Sequence, residues 1–173
     1  FFEQWDREYM KKPPHVIPYQ GSKRKLADAI LSLVDFEVDT LYEPFVGSGA
    51  ITLAAAANQV AENYVIADKL EPLIELWHAL VVSPQDVVEE YTKLWNAQLD
   101  DPATYFKKVR DEFNTTKDPI KLLYLVARCV KNAVRFNGKG EFNQGPDNRR
   151  SGLRPEKLQK EAHLLAQLLR GRV

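Results

Sequence analysis

Two carboxylates flank a glycine-rich turn in this chain, in an arrangement suited to a nucleotide-bearing cofactor. Residues 41–52 read LYEPFVGSGAIT. A short strand-like run at Leu41 and Tyr42 reaches Glu43. A tight turn then holds Gly47, Ser48 and Gly49, and a small-residue helical run follows from Ala50 to Ala57. Strand, glycine turn and helix in this order form a nucleotide-cofactor site at the carboxyl end of a parallel strand. Glycine at 47 and 49 opens unusual backbone angles and lets a ligand touch the main chain. Glu43 selects among ligands. A carboxylate here repels a pyrophosphate, which such loops hold on exposed N–H groups. It suits a ligand carrying positive charge, such as the amino group and sulfonium of S-adenosylmethionine. The bland alternative is a tight corner without a ligand.

The second carboxylate is Asp68. Residues 64–68 (YVIAD) read as a buried strand ending in an acid. Asp68 lies about 20 residues past the glycine turn, where an acid usually meets the ribose hydroxyls of an adenosine cofactor. It is also placed to cap the helix expected from about Leu70. A third segment, PYQGSKRKL at 18–26, offers the ring of Tyr19, a turn at Gly21 and the ammonium of Lys23. Lys23 could meet a carboxylate such as that of a methionine moiety; otherwise it is a solvated lysine. Ser22 is expected to cap a helix from Lys23 to Val34, with Leu26, Ile30, Leu33 and Val34 at helical spacing.

Residues 131–154 carry Lys131, Arg135, Lys139, Arg149, Arg150 and Arg154 against Glu141 and Asp147, with Asn132, Asn137, Asn143 and Asn148 among them. Arginine and lysine hold phosphates, and arginine and asparagine read base edges bidentately. Gly138, Gly140, Gly145 and Pro146 predict hairpin and loop rather than helix. Phe136 and Phe142 would brace the hairpin or wedge at a base step. The segment reads as a nucleic-acid contact, with a solvated basic loop as the plain alternative.

The elements that must position these groups fall into an α/β pattern. Residues 16–83 alternate helix and strand, with a third helix over 72–82 burying Leu73, Leu76, Trp77 and Leu80. Residues 84–134 are helical with breaks at Pro84, Pro102 and Pro119, and Asp101 and Asp118 mark helix starts. A last helix over 155–170 should pack its leucine face on the sheet. Residues 1–15 show no clear period and form an amino-terminal extension. Only two parallel strands are evident, against about five or six in a usual sheet. Exposed edges and an open apolar face are therefore expected to call for further strands or a partner.

The order YQGSK, EPFVGSG, IAD and RFNGKGEFN resembles the Dam-type DNA adenine N6-methyltransferases, the D12 or alpha class, from about Ile17 to Arg150. The resemblance implies a partial Rossmann-like S-adenosylmethionine-dependent methyltransferase fold. It divides into a cofactor part (16–83), an inserted helical DNA-recognition domain with a β-hairpin loop (84–154) and a return helix (155–173). It implies that Tyr19 and Lys23 contact S-adenosylmethionine. Glu43, Phe45, Gly47, Ser48 and Gly49 would line its methionine side, Asp68 would hold the ribose, and Lys69 would lie near the adenine. It implies double-stranded DNA as partner, met by Lys131, Asn132, Arg135, Asn137, Lys139, Asn143, Arg149 and Arg150. Arg135 and Asn137 match best; after Asn143 the spacing drifts, and the stretch 132–134 is one residue shorter than usual.

Family members orient the target amine with an Asp-Pro-Pro-Tyr tetrad, and no such tetrad stands in this sequence. Lys12-Pro13-Pro14-His15 lacks the acid and lies upstream, so it reads as a linker turn. No catalytic residue is therefore assigned. The expectation is the front portion of a longer enzyme, inactive alone. The alternatives are one subunit of a split methyltransferase or a paralogue that only binds cofactor or DNA. A nicotinamide oxidoreductase fits poorly with Glu43 and the missing GxGxxG fingerprint, and an RNA methyltransferase fits poorly with the GEFN hairpin.

Composition narrows the setting. The chain has 173 residues, zero formal charge, one cysteine and three histidines. The basic character is thus local, and DNA affinity should be modest and salt-sensitive. One cysteine excludes an intramolecular disulfide framework, and scattered histidines offer no zinc site. No run reads as a membrane span or secretory signal, so a cytoplasmic setting is expected. A bacterial restriction–modification or phage origin follows only from the resemblance.

Overall fold

The structure, a computed structural model, describes residues 12–173. The expected extension over 1–15 falls mostly outside the described residues. A short helix, α1 (Ala27–Leu31), leads into β1 (Val38–Glu43), α2 (Ala50–Ala57), β2 (Ala61–Ile66) and α3 (Glu71–Val82). β1 and β2 pair in parallel, with Leu41 opposite Tyr64 and Tyr42 opposite Val65. Parallel neighbours need a crossover, and α2 supplies it. Its alanines let it lie close on the strands, where Leu53, Ala54, Ala55 and Ala56 are buried. The other sheet face is open: Tyr42 and Val65 stand side by side, 69% and 46% exposed.

Prolines at the first helical position start α4 (Pro84–Ala97), α5 (Pro102–Thr116), α6 (Pro119–Arg128) and α7 (Pro155–Leu169). Proline loses nothing there, because that N–H has no helical acceptor. Asp101 accepts from Thr104 N at 3.2 Å, and Asp118 accepts from Ile120 N and Lys121 N at 2.7 and 3.1 Å. Both are N-caps, as expected. α6 is the central helix, with every residue from Leu122 to Arg128 buried. Each buried leucine there contributes about 1.5–3 kcal/mol. α3, α4 and α5 pack on it, and α7 packs on α3 and α4 to complete one continuous core. No helix among the described residues is long and apolar enough to cross a membrane.

Two expectations need correction. The helix expected over 23–34 shrinks to α1, and Ser22 does not cap it; its hydroxyl accepts from Ser48 Oγ at 2.8 Å. Leu26, Ile30 and Leu33 are 53%, 40% and 79% exposed, so little packing rewards a longer helix. α7 packs chiefly on α4, α3 and α2 rather than on the sheet, because α2 already covers the inner sheet face. The chain just past α7 meets the sheet instead: Arg172 O accepts from Tyr64 N at 2.7 Å along the outer edge of β2.

The turn after β1 is fixed from beneath by Trp77 of α3. Its Nε1 donates to Gly47 O at 3.0 Å. A Cβ on Gly49 would lie 2.4 Å from two carbons of the indole, and Gly49 has φ +62°. Glycine is required there twice, for space and for backbone angle. Gly49→Ala should therefore cost about 2–4 kcal/mol in urea unfolding, the sum of overpacking and left-handed strain. Gly138→Ala, at a site with open space and no positive φ, should stay within about 0.5 kcal/mol.

His15 adds a pH dependence. Its backbone N donates to Glu161 Oε2 of α7 at 2.7 Å. Burial, with Arg24 and Lys157 nearby, lowers its pKa to about 4. The folded state then binds fewer protons than the unfolded one between that value and the ordinary 6.5. The neutral ring's contribution is present above pH 6.5 and declines as pH falls toward 4. The stability difference between the unmodified chain and His15→Asn, measured by thermal melts across this window, should shift against the unmodified chain as pH falls. A flat difference would contradict it.

Candidate functional site

The strand ends and the loops after them are stitched together by main-chain bonds. Val46 N donates to Ala67 O at 2.9 Å, and Ala67 N donates to Glu43 O at 3.0 Å. Asp68 completes the junction: its Oδ2 accepts from Gly47 N at 3.0 Å and its Oδ1 from Leu70 N at 3.1 Å. The acid thus holds the glycine turn, which the sequence did not disclose; it is not the cap expected for α3, whose N-cap is Leu70 with no side-chain cap bond. Each carboxylate oxygen has a further lone pair for a ligand hydroxyl. Tyr19 lies against the turn, its ring 3.6 Å from where a Gly47 Cβ would sit. Burial, and then the nearby Asp68 carboxylate, push the Tyr19 phenol upward. Tyr19, Gly47 and Asp68 are therefore one cluster, built from residues 49 positions apart at its extremes.

Glu43 stands at the end of β1 and points at the first turn of α2. Its Oε2 accepts from Thr52 N at 3.0 Å and from the Thr52 hydroxyl. A carboxylate is favourable at a helix N-terminus, so Glu43 supports α2 besides whatever it offers a ligand. Burial raises its pKa, and the two Thr52 bonds oppose that rise. Ser48 is buried and joins Ser22. Phe45 is 84% exposed beside the turn, a large apolar ring left in water. Lys69 is exposed next to Asp68. Lys23 is exposed too, its ammonium donating to Gly21 O at 2.8 Å.

The basic segment divides into residues that face solvent and residues that hold the loop. The expected hairpin is present, with Phe136 bridged to Phe142 in antiparallel fashion. These rings brace it against Phe113 of α5, with Phe113–Phe142 and Phe136–Phe142 edge-on at 6.1 and 5.8 Å. Asn137 builds the turn. Its Oδ1 accepts from Lys139 N and Glu141 N at 2.9 and 3.0 Å, and its Nδ2 donates to Glu141 Oε2. Asn114 of α5 grips Phe142 on both backbone groups. Lys131, Arg135, Lys139 and Asn143 are exposed, and no hydrogen bond or ion pair joins their side chains to other described residues.

Arg149 and Arg150 converge on the buried Asp147. Arg149 reaches both its oxygens at 2.9 and 3.0 Å, and Arg150 Nε lies 3.1 Å away. These guanidiniums, Arg149 foremost, hold the Asp147 carboxyl far below the usual range. Arg150 also donates to Cys129 O at 2.8 Å and to Asn132 Oδ1 at 3.3 Å, and Asn132 Nδ2 donates to Val126 O. Beneath them Arg128 is 1% exposed and donates to Asp147 O and Arg150 O. With Asn137, four of the expected contact residues thus brace the loop that presents the others. Burial pushes the Cys129 thiol up to about 11, which leaves it unreactive.

Sequence reasoning missed Trp77 as a support of the turn, Thr52 as the partner of Glu43, and Arg128, Asp147 and Asn114 as loop anchors. Trp77 carried a signal: an indole N–H in an apolar stripe needs an acceptor. Asn114 and Arg128 lie far from their partners in sequence, and nothing in the sequence told that Asp147 is buried or that Thr52 faces Glu43.

A family model described as D12 class N6 adenine-specific DNA methyltransferase matches residues 19–170. The DNA adenine methylase of Serratia marcescens is 32% identical over 138 residues, covering 78% of this chain and 49% of the relative. That of Salmonella typhi is 30% identical over 138 residues, covering 78% and 48%. That of Haemophilus influenzae is 29% identical over 131 residues, covering 73% and 44%. The chain spans about half the length of these relatives. With most of its length matched in the order its strands, turn and hairpin follow, this chain belongs to the D12 class N6 adenine-specific DNA methyltransferase family.

Proposed function

We propose that these residues form the cofactor-holding and DNA-holding part of an S-adenosylmethionine-dependent DNA adenine N6-methyltransferase. The observation that carries it is the convergence of Tyr19, Glu43, Gly47 and Asp68 where two parallel strands end. Family membership supplies the reaction class. S-adenosylmethionine would supply an electrophilic methyl group on a sulfonium. Glu43 and Asp68 fit it chemically, one as a carboxylate for the cationic end, the other as an acceptor for ribose hydroxyls. Phe45 offers an uncovered ring beside them, and Lys69, exposed next to Asp68, would lie near the adenine.

Residues 84–154 would serve as the target-recognition unit inserted into a Rossmann-like cofactor fold, with residues 155–173 returning to it. In that unit Lys131, Arg135, Lys139 and Asn143 would meet duplex DNA. Asn132, Asn137, Arg149 and Arg150 would keep the loop in shape, and Arg149 could exchange Asp147 for a phosphate. Such a unit would work in a bacterial cytoplasm. An Asp-Pro-Pro-Tyr tetrad is not among these residues, and none of them is assigned to base flipping or to the transfer step.

Two experiments separate roles. Glu43→Gln keeps an acceptor for Thr52 but removes the charge. It should weaken S-adenosylmethionine about 10-fold by calorimetry and the sulfonium-free S-adenosylhomocysteine less, since charged hydrogen bonds are worth about 1.5–3 kcal/mol. Equal affinity in both proteins would leave Glu43 as a helix support only. Arg135→Ala should weaken duplex binding and lower the salt slope by about 1 with unchanged melting. Asn137→Ala should instead cost about 0.5–1.5 kcal/mol of stability through the lost turn bonds.

A further inference from the structure

A second basic surface lies outside the hairpin. A cleft of about 910 Å³ is lined by Lys12, Lys23, Arg24 and Lys25, with Asp28 as the one acidic wall residue among the described residues. Among the described residues, no hydrogen bond or ion pair engages the side chains of Lys12, Arg24 or Lys25, and all three are exposed. The local field is positive enough that Arg24 and Lys157 join burial in keeping His15 neutral. In a chain of zero formal charge, such a concentration calls for a polyanion.

The fold ties this cleft to the hairpin side. Gln20 N donates to Asn132 O at 3.0 Å, next to the exposed Lys131. Arg24 and Lys25 follow within five residues, so they lie at most about 18 Å along the chain from that tie. Duplex DNA places a charge on each strand about every 3.4 Å. That span corresponds to about five phosphates along one strand of a duplex.

We propose that Arg24 and Lys25, with Lys12, form a second DNA-backbone contact that grips duplex flanking the segment held by the hairpin. The inference rests on the DNA reading given under Proposed function. Arg24 and Lys25 hold phosphates without reading sequence and lengthen the footprint. They are distinct from the residues assigned to cofactor and from the hairpin.

The test compares the unmodified chain, Arg24→Gln/Lys25→Gln and Arg135→Ala by fluorescence anisotropy. The probes are mixed-sequence duplexes, one of about 5 base pairs closed by a loop and one of about 30 base pairs, titrated from about 50 to 200 mM salt. The double variant should bind the longer duplex about 3- to 10-fold more weakly, with a salt slope reduced by about 1–2, and the shorter one unchanged. Arg135→Ala should weaken both. An unchanged slope for the double variant on the longer duplex overturns the inference while leaving the DNA reading intact. Equal losses on both duplexes overturn the flanking placement. Tighter binding of an RNA duplex of the same length overturns the choice of partner. No binding of either duplex by the unmodified chain overturns the DNA reading, and this inference with it.

Discussion

The approach of the Trp77 indole to Gly49 sets the geometry on which the site depends. Through one side chain, α3 fixes the floor of the turn after β1, donating to Gly47 O while filling the space any Gly49 side chain would need. Asp68 clamps the same turn from the other side by accepting from Gly47 N. With both backbone groups of Gly47 committed, the turn has little freedom left. The Tyr19 ring and the Glu43 carboxylate are then presented at set positions. A ligand meeting a surface ordered in advance pays less to bind.

A second network does the same for the basic loop. Asp147 is buried and gathers Arg149 and Arg150, while Arg128 holds the loop backbone from beneath. Burying a charge without partners is costly, so this cluster stands only as a unit. The consequence is a division of labour among residues of one chemical type. Arginines tied to Asp147 shape the loop, and Arg135 and Lys139 stay uncommitted at its surface. The aromatic trio of Phe113, Phe136 and Phe142 fastens the hairpin to α5, so Arg135 and Lys139 ride on a braced element.

Much of this was legible in the sequence. β1, the glycine turn, α2 and α3 fell where periodicity and glycine spacing put them, and Asp101 and Asp118 capped helices as Asp-Pro steps predict. Burial of the Leu73, Leu76, Trp77 and Leu80 stripe followed from its spacing. What stayed hidden depends on contacts between distant residues. Whether Ser22 caps a helix or meets Ser48 depends on where another loop lands. Whether Arg149 faces solvent or Asp147 depends on a buried acid that reads, in sequence, as one more loop residue. The 23–34 helix failed for the same reason: local spacing allowed it, and no neighbouring surface covers its apolar side.

The central claim is that S-adenosylmethionine sits where β1 and β2 end. Hydrogen exchange measured by mass spectrometry, with and without saturating S-adenosylmethionine, locates the ligand directly. The account predicts slowed exchange at residues 43–49 and 67–70, with the hairpin at 136–142 unchanged. No added protection at 43–49 and 67–70, or protection confined to the basic cleft around residues 21–28, would contradict it.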